Sequence, residues 1–304
     1  MTQHDELQDL LQKTSRTFAL TIPLLPEPTR HEVGVAYLLF RVIDSFEDAT
    51  LWEPALRMRA LAEFCPLLHD VDSRRASKAA QVWVREPPLE HAGYLELIQR
   101  VPQVLDWYRT LQPAAREQIC HHIERTAQGM AEFVGRTSGE GVLRLETLGD
   151  LREYCFVVAG IVGQLLTELY VIGSKQIANV ADELRARAPN FGEGLQLVNI
   201  LKDAQPDAAE GRVYLPREVA LEDVFELAHA DLRAALEYTE ILREARADLG
   251  VVKFNALNAR LALATLRELS DRGLGSKLSR LQLSGVAADV MRSIHDGASL
   301  FPEA

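Results

Sequence analysis

AYLLFRVIDSFED, residues 36–48, reads as the second half of a long helix. Tyr37, Phe40 and Ile43, with Val33 and Phe46 one turn away, form an apolar stripe at helical spacing. Asp44, Glu47 and Asp48 close the stretch at positions i, i+3 and i+4, so three carboxylates project together beside an apolar face. Grouping and desolvating like charges is costly. A hard cation such as Mg²⁺ offsets that cost, because it takes oxygen ligands and is usually shared with substrate phosphates. Arg41, one turn earlier, can pair with Asp44 or hold an anion. The plainer reading is a solvated acidic helix end with an Arg41–Asp44 pair.

A second stretch repeats the pattern. In LQLVNILKDAQPDAAEGRVYLP, residues 195–216, Asp203 and Asp207 end an apolar helical run at i, i+4, interleaved with Lys202 and Arg212. Two such helices facing each other across a pocket would make a site for Mg²⁺ and diphosphate. The plainer reading then needs two accidents of the same kind.

Composition sets the frame. The chain has 304 residues, enough for one large domain or two small ones, with 47% hydrophobic and 25% charged residues. The net charge of −11 disfavours a nucleic-acid partner. Cys65, Cys120 and Cys155 have no CxxC spacing and are expected as reduced, inert thiols of a cytoplasmic protein. Residues 1–14 are polar and amphipathic rather than a secretory signal. The most apolar run, 156–173, contains Gln164, Thr167 and Glu168 and is expected as a buried helix rather than a span.

Sustained period-two alternation is missing, so the expected class is all-α. Helices are expected at 4–13, 28–49, 52–68, 73–83, 91–110 (interrupted at Pro102) and from Pro113 to about 136. Further helices are expected at 147–173, 191–205, 216–246, 251–270 and 284–297. Pro23, Pro26 and Pro28 break the segment 15–28. The helix at 147–173 is apolar nearly all round and belongs at the centre of a bundle, with Gly160 and Gly163 allowing close approach. Pro206 is expected to end or kink the acidic helix between its two aspartates. With no linker or repeat, one domain spanning 1–304 is the economical reading. His31-Glu32 lacks the second His of HExxH, the adjacent His121 and His122 make a poor metal pair, and no GxGxxG is present.

In order and spacing, these segments resemble the squalene/phytoene synthases, head-to-head prenyl transferases of all-α isoprenoid-synthase fold with a central cavity. SRTF at 15–18 and YLLFRVIDSFED at 37–48 look like the family's first aspartate-rich motif. YCFVVAGIVG at 154–163 is similar to its central catalytic helix. Residues 195–216 look like the second aspartate motif, and FNALNARLALATL at 254–266 resembles a later pocket helix.

The resemblance implies Mg²⁺ held by Asp44, Glu47, Asp48, Asp203 and Asp207. It implies phosphate contacts from Ser15, Arg16, Arg41, Lys202 and Arg212, and diphosphate orientation by Gln196 and Asn199. An apolar tunnel would include Val157, Val158, Leu165, Leu195 and Phe254. Tyr154 sits where a tyrosine handles the proton lost as a cyclopropane forms, with Tyr37 as a second aromatic near the cation.

The substrate implied is an isoprenoid diphosphate, farnesyl diphosphate foremost. The product is squalene if NADPH is used, with Lys202, Arg212, Lys277 and Arg280 assigned to NADPH. Phytoene, dehydrosqualene or hydroxysqualene synthesis, or a non-catalytic binding role, are the alternatives. Asn255 and Asn258 depart from the expected pattern and would place water beside the intermediate. Peripheral membrane contact is expected for product release.

Overall fold

The structure is a computed structural model that describes residues 3–15, 17–70, 72–138 and 142–301. The described residues are helical almost throughout, as the all-α reading expects. Two strands, Leu143–Arg144 and Arg212–Val213, have two residues each. Contacts divide the chain into two units, one within Met1–Pro23 and Glu27–Leu143, the other within Leu24–Pro26 and Arg144–Ala304.

The first unit contains α1 (Gln3–Thr14), the short α2 (Phe18–Thr21), α3 (Thr29–Glu47), α4 (Pro54–His69), α5 (Ser73–Arg85), α6 (Ala92–Gln99), α7 (Val101–Thr110) and α8 (Pro113–Gly135). Three helices of this unit begin with proline at the first or second position, Pro54, Pro102 and Pro113, where a missing N–H costs nothing. Pro102 therefore starts α7, and the chain turns at Arg100. Helix α3 is the hub, packed against α1, α4, α6, α7 and α8. Val33, Leu38, Leu39, Val42, Ile43 and Phe46 are all buried along it, more than one face requires.

The end of α3 is locked in place. Phe46 is fully buried and stacks on Trp52, with ring centroids 5.9 Å apart, and meets Phe64 at 6.3 Å and Trp83 at 4.7 Å. Aromatic pairs at these separations add to the gain from burial. The buried Arg57 guanidinium donates to the Glu47 carbonyl, satisfying a group that a helix end leaves without an internal partner.

In the second unit a 26-residue apolar helix, Leu148–Gly173, is built from α9 (Leu148–Cys155), a π-helical turn (Phe156–Gly160) and α10 (Ile161–Gly173). Thr147 and Asp150 open it with a reciprocal capping box. This helix is long and apolar enough to cross a membrane, and half of its most apolar window is buried within the protein. It packs on α13 (Ala188–Ala209). A Cβ at Gly163 would lie 2.0 Å from the Ala188 oxygen, and one at Gly192 would lie 1.9 Å from the Ala159 oxygen. Two glycines, one on each helix, thus let the backbones touch. The sequence reading named Gly163 and passed over Gly192.

Two short helices, α11 (Lys175–Ala178) and α12 (Ala181–Arg185), precede α13. Helix α13 also packs on α14 (Leu221–Glu244) and α15 (Leu249–Arg272), and α16 (Arg280–Asp296) lies on α15. Helix α13 corrects one expectation, since it runs through Pro206 to Ala209. The ring falls in the last turn and is exposed, so the lost hydrogen bond affects only a solvated helix end.

Candidate active site

The first acidic cluster lies at the anchored end of α3. Asp44 is half-buried, with about a quarter of its side chain exposed, and Arg41 Nη1 is 3.4 Å from its Oδ2. Asp48 caps the helix, its N–H returning to the Asp44 carbonyl. Glu47 is buried, unlike the two aspartates. Burial, aided by the nearby Asp48 carboxylate, raises the Asp44 carboxyl to about 6 against the pull of Arg41.

Arg41 is sandwiched between aromatic rings, its guanidinium carbon 5.6 Å from the Tyr37 centroid and 5.4 Å from that of Tyr94. Burial opposes its charge, yet Tyr37, Asp44 and Tyr94 together hold its pKa above the ordinary value. Its Nε is buried and lacks a hydrogen-bond partner. An unsatisfied buried donor beside two carboxylates suits an anion carried together with a hard cation. The donor set, carboxylate oxygens with a forked guanidinium, fits Mg²⁺ shared with phosphate.

Tyr37 donates its hydroxyl to the Thr14 carbonyl at 2.9 Å, and its ring lies 5.5 Å from that of Phe18. Ser15 accepts the Phe18 N–H at 2.9 Å, a local role that starts α2. Arg16 lies outside the described residues.

The second acidic cluster ends α13. Here each aspartate already has a cation beside it. Lys202 Nζ is 3.3 Å from Asp203 and bonds Asn199 Oδ1 at 2.8 Å. Arg212 Nη2 reaches Asp207 at 3.0 Å and Glu210 at 2.8 Å. Arg212 is held there by the short strand, and the Leu145 N–H donates to the Val213 carbonyl at 3.1 Å. Gln196 is half-buried and Asn199 exposed. Lys277 and Arg280 are exposed, in the connection to α16 and at its first residue. The structure thus gathers Lys202 and Arg212 around the aspartates and leaves Lys277 and Arg280 in solvent.

The catalytic-helix motif contains the π turn. A π turn widens a helix locally and recurs at functional sites. Phe156, Val157, Val158 and Ala159 are half-buried on it, whereas Tyr154 just before it is buried. Tyr154 donates its hydroxyl to that of Tyr214 at 2.9 Å, and the two rings stack at 4.6 Å. A pair of hydroxyls in a buried setting can pass a proton along a short path. Sequence reasoning missed Tyr214, although it lies inside the quoted second motif. Phe254 and Leu165 are buried and Leu195 is half-buried. Asn255 donates to the Val251 carbonyl at 2.8 Å and the Tyr170 hydroxyl at 3.3 Å, and Asn258 to the Phe254 carbonyl at 2.9 Å.

A further acidic pair escaped the sequence reading. Glu193 and Asp231 are both buried, with Asn190 donating to Asp231 at 2.7 Å and Arg152 4.0 Å from Glu193. Burial, with the Asp231 charge adding to it, pushes Glu193 up to about 7 against Arg152. Burial likewise raises Asp231 against Asn190. The only sign in the sequence is one acid in the apolar run FGEGLQLVNIL, 191–201.

An all-α fold carrying two acid-ended helices and a π-broken apolar helix defines an isoprenoid-synthase-type protein. Residues 11–286 match the family model for squalene/phytoene synthase. The chain belongs to the squalene/phytoene synthase family, a family of prenyl transferases.

It is 29% identical over 255 residues to the Botryococcus squalene synthase of Botryococcus braunii, an alignment covering 80% of this chain and 51% of that protein. It is 31% identical over 211 residues to the squalene synthase of Mus musculus, covering 69% of this chain and 45% of the mouse protein. The chain spans about half the length of the curated relatives it matches. A structure of TcSQS with the ligand BPH1237 superposes with a TM-score of 0.74 at 28% identity, covering 95% of this chain and 85% of that one. A dehydrosqualene synthase structure at 18% identity and TM-score 0.57, covering 96% of each chain, shares the fold.

Proposed function

We propose that the protein is a Mg²⁺-dependent prenyl transferase that joins two farnesyl diphosphates head to head through presqualene diphosphate, giving squalene with NADPH. The observation that carries this reading is that all four motif aspartates, Asp44, Asp48, Asp203 and Asp207, are present at helix ends, with cations beside Asp44, Asp203 and Asp207. Mg²⁺, held by these aspartates with Glu47, would supply a Lewis acid that makes diphosphate a leaving group.

The chain's own groups do the rest. Arg41, with an unsatisfied buried Nε, binds phosphate oxygens and stays charged at every working pH. Arg212 and Lys202, which lie beside Asp207 and Asp203, would contact the diphosphate oxygens when those aspartates hold Mg²⁺. Val157, Val158, Leu195 and Phe254 keep water from the allylic cation. The Tyr154 oxygen takes the proton lost on cyclopropane closure as its own hydroxyl proton passes along the hydrogen bond to Tyr214, whose proton leaves in turn to the released diphosphate, the final base. NADPH would be held by Lys277 and Arg280, which lie in solvent, and would supply the reducing equivalent.

Water capture would call on Asn255 and Asn258. Both amide nitrogens donate to carbonyls of their own helix. The test is incubation with farnesyl diphosphate and Mg²⁺, with and without NADPH, followed by product identification. Squalene only when NADPH is present is expected. An identical product under both conditions would rule out the squalene reading.

A further inference from the structure

In the first unit, away from the acidic motif, helices α4 and α8 pack together and carry matching pairs at i, i+4. Cys65 and His69 share one face of α4's last turn, and Cys120 and Glu124 share one face of α8. The donor atoms of His69, Cys120 and Glu124 all lie within 4.8 Å of one another. His69 Nε2 is 2.8 Å from Glu124 Oε1 and 3.4 Å from Cys120 Sγ. Cys65 is half-buried and within electrostatic reach of both Glu124 and Cys120.

A single ring nitrogen facing both a sulfur and a carboxylate oxygen can offer one proton to only one of them. A cation at their centre serves all three. Tetrahedral zinc, with Zn–S of about 2.3 Å and Zn–N of about 2.0 Å, separates sulfur and nitrogen ligands by roughly 3.5 Å. The observed sulfur–nitrogen distance already matches, and the oxygen needs only a small outward shift. As an ion pair alone, His69 and Glu124 contribute little, since 65% and 43% of their side chains are exposed.

We propose that His69, Cys120 and Glu124, completed by Cys65, form a binding site for a zinc-class divalent cation that clips α4 to α8. A mixed set of sulfur, imidazole and carboxylate selects zinc or cobalt over magnesium, which prefers oxygen alone. The site is therefore chemically distinct from the all-oxygen acidic motifs and does not rest on the prenyl transferase reading.

The test uses the full chain, stripped with chelator, kept reduced and held in excess Mg²⁺, then titrated with Co²⁺. The expected result is a near-ultraviolet thiolate-to-cobalt absorption that saturates at one equivalent and is displaced by Zn²⁺. Zn²⁺ should also raise Tm by a few degrees, as a ligand bound only by the folded state does. His69→Ala, at an exposed position that leaves packing intact, should lose the tight one-equivalent titration. Cys120→Ser should lose most of the absorption and Cys65→Ser should weaken it, while Asp44→Asn should leave it unchanged. Absence of the thiolate band in the wild type, or a full band in Cys120→Ser, would overturn the site. An unchanged band in Cys65→Ser would remove Cys65 from it.

Discussion

The ends of α3 and α13 carry the same pattern of aspartates and are built in opposite ways. The α3 end is set by burial: Phe46 is fixed among three aromatic rings, Arg57 holds the Glu47 carbonyl, and Asp44 is desolvated enough to titrate near 6. The α13 end is solvated. Gln205, Pro206, Ala208, Ala209 and Glu210 are exposed, and Asp203 and Asp207 are held by ion pairs to Lys202 and Arg212. Asp44 also has a cation beside it, Arg41 at 3.4 Å, so the two ends differ in burial rather than in pairing, and the partly dry α3 end is the more rigid. The account therefore assigns the firmer metal ligands to α3 and the adjustable ones to α13.

The largest expected effect is on chemistry. Tyr154→Phe should keep the stacked ring and substrate binding while lowering presqualene diphosphate formation ~10²–10⁴-fold, the usual range for a positioned acid–base group. Tyr214→Phe should cost less, because it removes the acceptor of the Tyr154 hydrogen bond but leaves the oxygen that takes the proton. An unchanged rate in Tyr154→Phe would return it to a core tyrosine. Next come the aspartates. Asp44→Asn and Asp203→Asn should each lower diphosphate release ~10²–10³-fold, the range for removing one group that stabilises developing charge. In the metal-free protein above pH 6, thermal melts should show Asp44→Asn at least as stable as wild type, since a desolvated charge is gone.

Stability effects separate the two ends further. Phe46→Ala should cost ~3–5 kcal/mol in denaturant unfolding, as large-to-small changes at buried aromatics do. Pro206→Ala, in a solvated turn, should change stability by less than ~1 kcal/mol. Equal losses at the two positions would erase the contrast.

A pH effect sits elsewhere in the second unit. Glu193 titrates near 7 in the folded chain against an ordinary 4.5. The folded state therefore holds its proton more tightly than the unfolded state. That contribution is fully present below about pH 4.5 and is lost as the pH rises through about 7. Glu193→Gln removes the charge, so its melts should match wild type near pH 4 and exceed it at pH 8. The rise corresponds to a difference on the order of 3 kcal/mol. Parallel pH profiles would show that Glu193 is not the group responsible.

Much of this was legible in the sequence, for reasons visible in particular residues. The 3.6-residue period fixed most elements and Pro113 marked the start of α8, since both act locally, whereas Pro102, read as an interruption, starts α7. Pro206 misled because a helix end in solvent tolerates a proline that a buried helix interior does not. Gly192, Tyr214 and Glu193 were missed because their importance comes from partners distant in sequence, Ala159, Tyr154 and Asp231. The Cys65–His69 and Cys120–Glu124 pairs were overlooked for the same reason. Each is unremarkable on its own helix and gains meaning only when α4 meets α8.

The central claim is that both acidic helix ends serve one reaction. The most direct measurement is diphosphate release from farnesyl diphosphate by Asp44→Asn, Asp203→Asn and the double variant, each first shown to be folded by circular dichroism. Groups that act as a unit are non-additive. The account predicts that the double variant falls close to the worse single variant. Losses that multiply in the double variant, or near wild-type release by either single variant, would contradict it.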